Sequence, residues 1–104
     1  MGYGIICNEG SMSDITETLK ERGKSYGPFI VQAAIAQTLK RVMREKGWDK
    51  LKYDQREALD HIQTKISRIL NGDPNHADSW RDIAGYAMLI EKRLAQPEPQ
   101  PEVD

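Results

Sequence analysis

The chain has one cysteine, Cys7. A single thiol closes no internal disulfide and builds no multi-thiolate zinc site, which fits a reducing compartment and sets the expectation of a cytoplasmic protein. Long apolar runs are missing too. None reaches the roughly 18 residues that span a bilayer, and the N-terminus lacks a basic region followed by a long apolar stretch, so membrane and secretion readings drop out. Charge of one sign is also lacking, since 15 Lys and Arg against 16 Asp and Glu leave a formal charge of −1. With no basic tract to break that balance, nothing draws the chain onto nucleic acid over a distance. No segment alternates apolar and polar residues with the period of a strand.

What remains is a chain of 104 residues, 38% apolar and 30% charged, in the range of one globular domain with a modest core. A domain of this size buries only about 60 to 65% of the surface its unfolded chain exposes, so self-association is expected to add burial. Residues 1–11, MGYGIICNEGS, hold three glycines and no helical period. They read as a flexible leader, with a docked short strand over Tyr3 to Cys7 as the other reading. Residues 96–104, QPEPQPEVD, carry three prolines and too few apolar groups to repay ordering, so they read as a disordered tail. The body is residues 12–95.

Helical punctuation appears four times in that body. Ser13 or Asp14 is placed to cap a first helix running to Arg22, with Gly23 as its left-handed stop. Tyr26-Gly27-Pro28 is a turn with proline at a helix start. The next helix, Phe29 to Lys46, repeats apolar residues at Val31, Ile35, Leu39 and Val42 before Gly47 ends it. Asp54 with Glu57 three residues on resembles a capping box for a third helix. Its stripe is Leu59, Ile62, Ile66 and Ile69, and Asn71-Gly72 stops it. After Asp73-Pro74-Asn75 a last helix carries Trp80, Ile83, Ala87, Ile90 and Leu94 on one face, and the cost of Gly85 inside it suggests close packing there. The fold class that follows is all-α, a small bundle of about four helices.

At about 100° per residue, Glu57, His61, Lys65 and Arg68 fall along one flank of the third stripe, and Ser79, Asp82 and Tyr86 along the matching flank of the fourth, with Asp78 further round. The short connector makes these helices antiparallel neighbours, which brings the two rows to the same side of their interface. Two readings of the convergence stand. In one, Lys65–Asp82 and Arg68–Asp78 are rim ion pairs that fix register. In the other, Glu57, Asp78 and Asp82 bind a hard cation such as Mg²⁺ while Lys65 and Arg68 hold phosphate oxygens. Lys24, Ser25 and Tyr26 read either as a phosphate-facing loop before the second helix or as a plain turn. Trp48 and Tyr53 either seal the bundle or stack on a base. His61 and His76 read as structural rather than as zinc ligands.

The segments Arg22-Gly23-Lys24-Ser25-Tyr26-Gly27, Lys65-Ile66-Ser67-Arg68 and His76 to Tyr86, HADSWRDIAGY, resemble an uncharacterised phage and prophage family. That family is similar to the all-α nucleoside triphosphate pyrophosphohydrolases of the MazG type, and the likeness covers about residues 14–95. It implies a MazG-like bundle that binds a nucleotide or other small phosphorylated ligand in a host-cell cytoplasm and uses Mg²⁺ to release pyrophosphate from a nucleoside triphosphate. In such enzymes a Glu-x-x-Glu pair and a Glu-x-x-Asp pair hold the ion. Carried over residue by residue, Glu57 and Asp60 stand where the first pair belongs, and Asp82 matches the final aspartate. Ser79 occupies the glutamate position of the second pair, with Asp78 one residue early. The resemblance thus gives Glu57 and Asp82 catalytic places, Glu57, Asp78 and Asp82 the metal, and Lys65, Arg68, Lys24 and Tyr86 the substrate. The alternative is a non-catalytic accessory protein that binds a host protein or a signalling nucleotide, with the same charges serving as ion pairs.

Overall fold

The computed structural model describes residues 9–96 and 99–102, with side chains from residue 15 onward apart from that of Arg22. Four α-helices make up the described chain: α1 (Glu9–Tyr26), α2 (Phe29–Glu45), α3 (Tyr53–Asn71) and α4 (Ala77–Ala95), with a 3₁₀ turn at Trp48–Lys50. No strand occurs among the described residues, so the chain is all-α as its periodicity demands. The leader's Tyr3–Cys7 segment lies outside the described residues.

The boundaries of α2, α3 and α4 fall within a residue or two of those expected. The first helix does not: α1 opens at Glu9, ahead of Ser13, and runs through Gly23 to Tyr26. Its left-handed stop is Gly27, at φ 76°. The reason is tertiary. Gly27 faces the end of α3, where the Asn71 side-chain amide donates to the carbonyls of both Tyr26 and Pro28 at 2.9 Å. The Asp73 N–H adds a bond to Ser25 O at 2.8 Å. The α1–α2 corner is thereby fastened to the α3–α4 corner. The start of α3 differs as well. Its cap is Lys52, whose N–H donates to the Gln55 side chain at 2.8 Å, while Asp54 lies inside the first turn.

Helix α3 is the centre of the layer, packing most closely on α4 and next on α2. Three pairs give the α3–α4 register. Asp54 meets Arg93 at 2.7 Å, His61 meets Tyr86 with ring centroids 4.7 Å apart, and Lys65 meets Asp82 at 3.0 Å. Each step towards the C-terminus of α3 is matched by an equal step towards the N-terminus of α4, the signature of antiparallel neighbours. On the opposite side of α3 Gln63 and Ser67 are buried, as are Gln32 and Ala36 of α2, and Arg44 of α2 grips Asp60 through two hydrogen bonds of 3.0 and 2.9 Å.

A helix clasped on two opposite sides leaves two faces. At about 100° per residue, one face of the layer carries Glu57, His61 and Arg68 of α3 with Asp82 and Tyr86 of α4. The other carries the apolar stripes, Val31 and Val42 of α2, Ile66 and Leu70 of α3, and Trp80 and Leu94 of α4. The only buried hydrophobic residues among those described are Ala36 and Ala58. Gly85, where close packing was expected, has nothing near the position a Cβ would take. It lies on the open polar side of α4.

The Asp54–Arg93 pair ties the start of α3 to the end of α4. The two hydrogen bonds from the Arg93 guanidinium, aided by its charge, hold the Asp54 carboxyl below the usual carboxylate range against the opposing effect of burial. A carboxyl whose folded pKa is depressed adds stability above its unfolded value near 3.9 and loses it as pH falls through the lower folded value. Asp54→Asn is therefore expected to lower the melting temperature at pH 7. It should also flatten the loss of stability of the wild type below about pH 4. Thermal melts across a pH series check both, and an unchanged acid limb in the variant would deny the pair its role.

Candidate functional site

The polar face is built along the α3–α4 seam. His61 and Tyr86 lie stacked, with ring planes 6° apart. Glu57, one turn before His61 on α3, approaches its Nε2 at 3.0 Å. One turn further on, Lys65, with a side chain only 15% exposed, reaches the Asp82 carboxylate, itself 46% exposed. This is the ion pair expected from the two rows.

The second expected pair does not form. In the observed register Arg68 faces Ser79, which is buried, whereas Asp78 is turned about 100° away at the start of α4. There Asp78 approaches His76 at 3.6 Å and Arg81 at 3.1 Å. Arg68 instead lays its guanidinium 4.6 Å over the Tyr26 ring. Its Nε is buried and has no hydrogen-bond partner, and among the described residues no carboxylate pairs with it. His76 stands edge-on to Tyr26, 5.4 Å between ring centroids and 3.5 Å from its Nε2 to the phenol oxygen.

The rim therefore has two chemically different ends. One is the flat His61–Tyr86 stack. The other is a half-buried cation, Arg68, braced by an aromatic ring that an imidazole also touches. From residue 61 to residue 68 the helix rises about 10 Å. Beside the stack, Arg81, Asp82, Gly85, Tyr86 and Leu89 line a shallow groove.

The carboxylates assigned to a metal are dispersed. Glu57 is with His61, Asp82 with Lys65, and Asp78 with His76 and Arg81. Asp78 stands level with the last turns of α3, about 18 Å along the axis from Glu57. Among the described residues no three His, Cys, Asp or Glu side chains form a group able to hold a metal ion. Asp60 is held by Arg44 on the α2 side of α3. As placed, these acids do not fit a single Mg²⁺ centre made by one chain.

Lys24 is not brought to the rim: it is exposed and pairs loosely with Glu21 at 3.8 Å. The segment Lys24-Ser25-Tyr26 is the last turn of α1 and not a phosphate-facing loop, because its backbone N–H groups are spent on the helix's own carbonyls. Trp48 packs against two guanidinium groups, 4.2 Å from Arg44 and 5.8 Å from Arg56. Sequence reasoning missed the role of His76. The only signal for it was a histidine at a helix start one corner away from Tyr26.

Fold and rim define a small all-α domain with an aromatic-to-cationic polar face. The chain belongs to the family described as Domain of unknown function (DUF6378), which it matches over residues 12–94. No curated protein and no solved structure matches it.

Proposed function

We propose that this domain binds a nucleotide on its polar face, the base lying against the Tyr86–His61 stack and the phosphates reaching Arg68. The observation that carries the reading is Arg68, a half-buried guanidinium with an unpaired Nε and no carboxylate partner among the described residues. Burying such a group without a partner is costly, and a phosphate supplies the fork of acceptors it lacks. His76, 3.5 Å from the Tyr26 phenol oxygen, is the next imidazole along this end of the rim. Lys65 is occupied by Asp82 and contributes by opening that pair. The rise of about 10 Å between stack and cation suits a base and its phosphate chain lying along one helix.

A second reading is favoured by the exposure of Asp82, 46% of whose side chain meets solvent on the same rim. Mg²⁺ carried in on a triphosphate would find its nearest protein acid there, as the MazG-like resemblance implies. A phage-encoded accessory role, with a host protein or a signalling nucleotide as partner, uses the same surface without hydrolysis.

The experiment is a melting series with nucleoside triphosphates, the bare nucleosides and inorganic pyrophosphate, each with and without Mg²⁺, alongside a pyrophosphate-release assay. A ligand at about 100 times its Kd adds roughly 2.7 kcal/mol, so a rise of about 10 °C is expected with the preferred triphosphate and little with its nucleoside. Arg68→Gln should abolish the rise. The absence of any phosphate-dependent rise, or an undiminished one in Arg68→Gln, would overturn the reading. Release of pyrophosphate that requires Mg²⁺ would establish the hydrolase form of it.

A further inference from the structure

We infer that the apolar face of the α2–α3–α4 layer, opposite the polar rim, is the interface of a homodimer. The three apolar stripes all open onto this one side. Val31 and Val42 of α2 are 45% and 57% exposed, Ile66 and Leu70 of α3 are 38% and 67%, and Trp80 and Leu94 of α4 are 54% and 56%. The interior of the single chain meanwhile is small and polar, since among the described residues the largest fully buried side chain is that of Ser67. The residues that ought to form a core thus line the outside.

The size of the face fits a second copy. Three helices set about 10 Å apart and about 25 to 28 Å long present roughly 800 Å², which is what each partner gives to an interface of standard size.

The face also selects its occupant. Its centre carries no charge, so a twofold axis through it sets no like charges against each other, and Glu91 lies at its outer edge. Helices α3 and α4 are both 19 residues long, about 28 Å, and a copy laid across them covers their full length with equal stripes. A fold whose core is its interface needs a partner wherever it is made, and a second copy of the chain is always present. Pairing through this side leaves both polar rims on the outside.

The test uses the full chain in light scattering coupled to gel filtration. A mass of about 24 kDa is expected, twice the 11.8 kDa of the chain, with a melting temperature that falls on tenfold dilution. Ile66→Glu, at the middle of the face, should give a 12 kDa species or an unfolded one. Leu89→Glu adds the same charge to α4 on the opposite side, where Leu89 is 64% exposed, and should keep the dimer. That variant shows whether the loss belongs to the face or to the added charge. The inference fails if the wild type is a cooperatively melting 12 kDa monomer at about 100 µM. It fails equally if the chain is monomeric and molten, which would give the face to another protein, or if Leu89→Glu splits the dimer while Ile66→Glu keeps it.

Discussion

Gly72→Ala should lower the melting temperature by about 10 °C or more, while Gly23→Ala leaves it unchanged or raises it. A Cβ on Gly72 would run into the Ser25 carbonyl oxygen and the Tyr26 Cα. These are backbone atoms, and they cannot swing away as the tip of a side chain does. The α1–α2 corner must therefore move off the α3–α4 corner. The bonds between the corners move with it: the two from Asn71 to Tyr26 and Pro28, and the one from Asp73 to Ser25. Overpacking costs typically 1 to 3 kcal/mol, and stranding partly buried carbonyls adds about 1 kcal/mol or more. Gly23 sits inside α1 with open space around it, where alanine is the better helix former by roughly 1 kcal/mol. Asn71→Ala should reproduce part of the Gly72→Ala loss without any clash. Far-UV circular dichroism melts of the three variants check the prediction. A stable Gly72→Ala protein would mean that the two corners are not joined in solution.

That corner also marks the limit of what the sequence discloses. Spacing placed α2, α3 and α4 almost to the residue, because glycine, proline and a 3.6-residue period are local signals. It also brought Lys65 opposite Asp82, since a short connector and equal rotation leave little choice of register. The end of α1 was not legible in the same way. Gly23 and Gly27 are equally good stops, and Asn71, some 45 residues on, selects between them. The Arg44–Asp60 pair and the bidentate Arg93–Asp54 pair were missed for the same reason, each joining residues on different helices. On the rim, one residue decided the outcome. The register sets Ser79 opposite Arg68, so Asp78 turns to Arg81 and Arg68 lies over Tyr26 instead.

Asp82→Asn should lower the melting temperature by about 5 °C, and neither it nor the wild type should respond to millimolar Mg²⁺ in the absence of nucleotide. Asparagine keeps an oxygen for Lys65 to donate to and removes the opposite charge, while the Lys65 side chain stays only 15% exposed. Breaking a well-buried pair from one side costs roughly 3 to 5 kcal/mol. Asp82 is half in solvent, so screening brings the expectation down to about 1 kcal/mol, or some 5 °C in a domain of this size. The double variant Lys65→Met with Asp82→Asn removes the stranded cation along with its partner and should recover much of the loss, the non-additivity expected of residues in contact. A metal ligand behaves in the opposite way. If Asp82 joined other acids around an ion, neutralising it would relieve their repulsion, leave stability unchanged or raised, and abolish a Mg²⁺-dependent rise in the wild type. Lys65→Met alone would then retain that rise. Melts of these four proteins, each with and without Mg²⁺ and repeated with a non-hydrolysable triphosphate, separate the two roles. A rise that needs both Mg²⁺ and the triphosphate, and that Asp82→Asn lacks, would place the ion on the bound phosphates with Asp82 as its protein ligand and turn the proposed nucleotide site into a hydrolytic one.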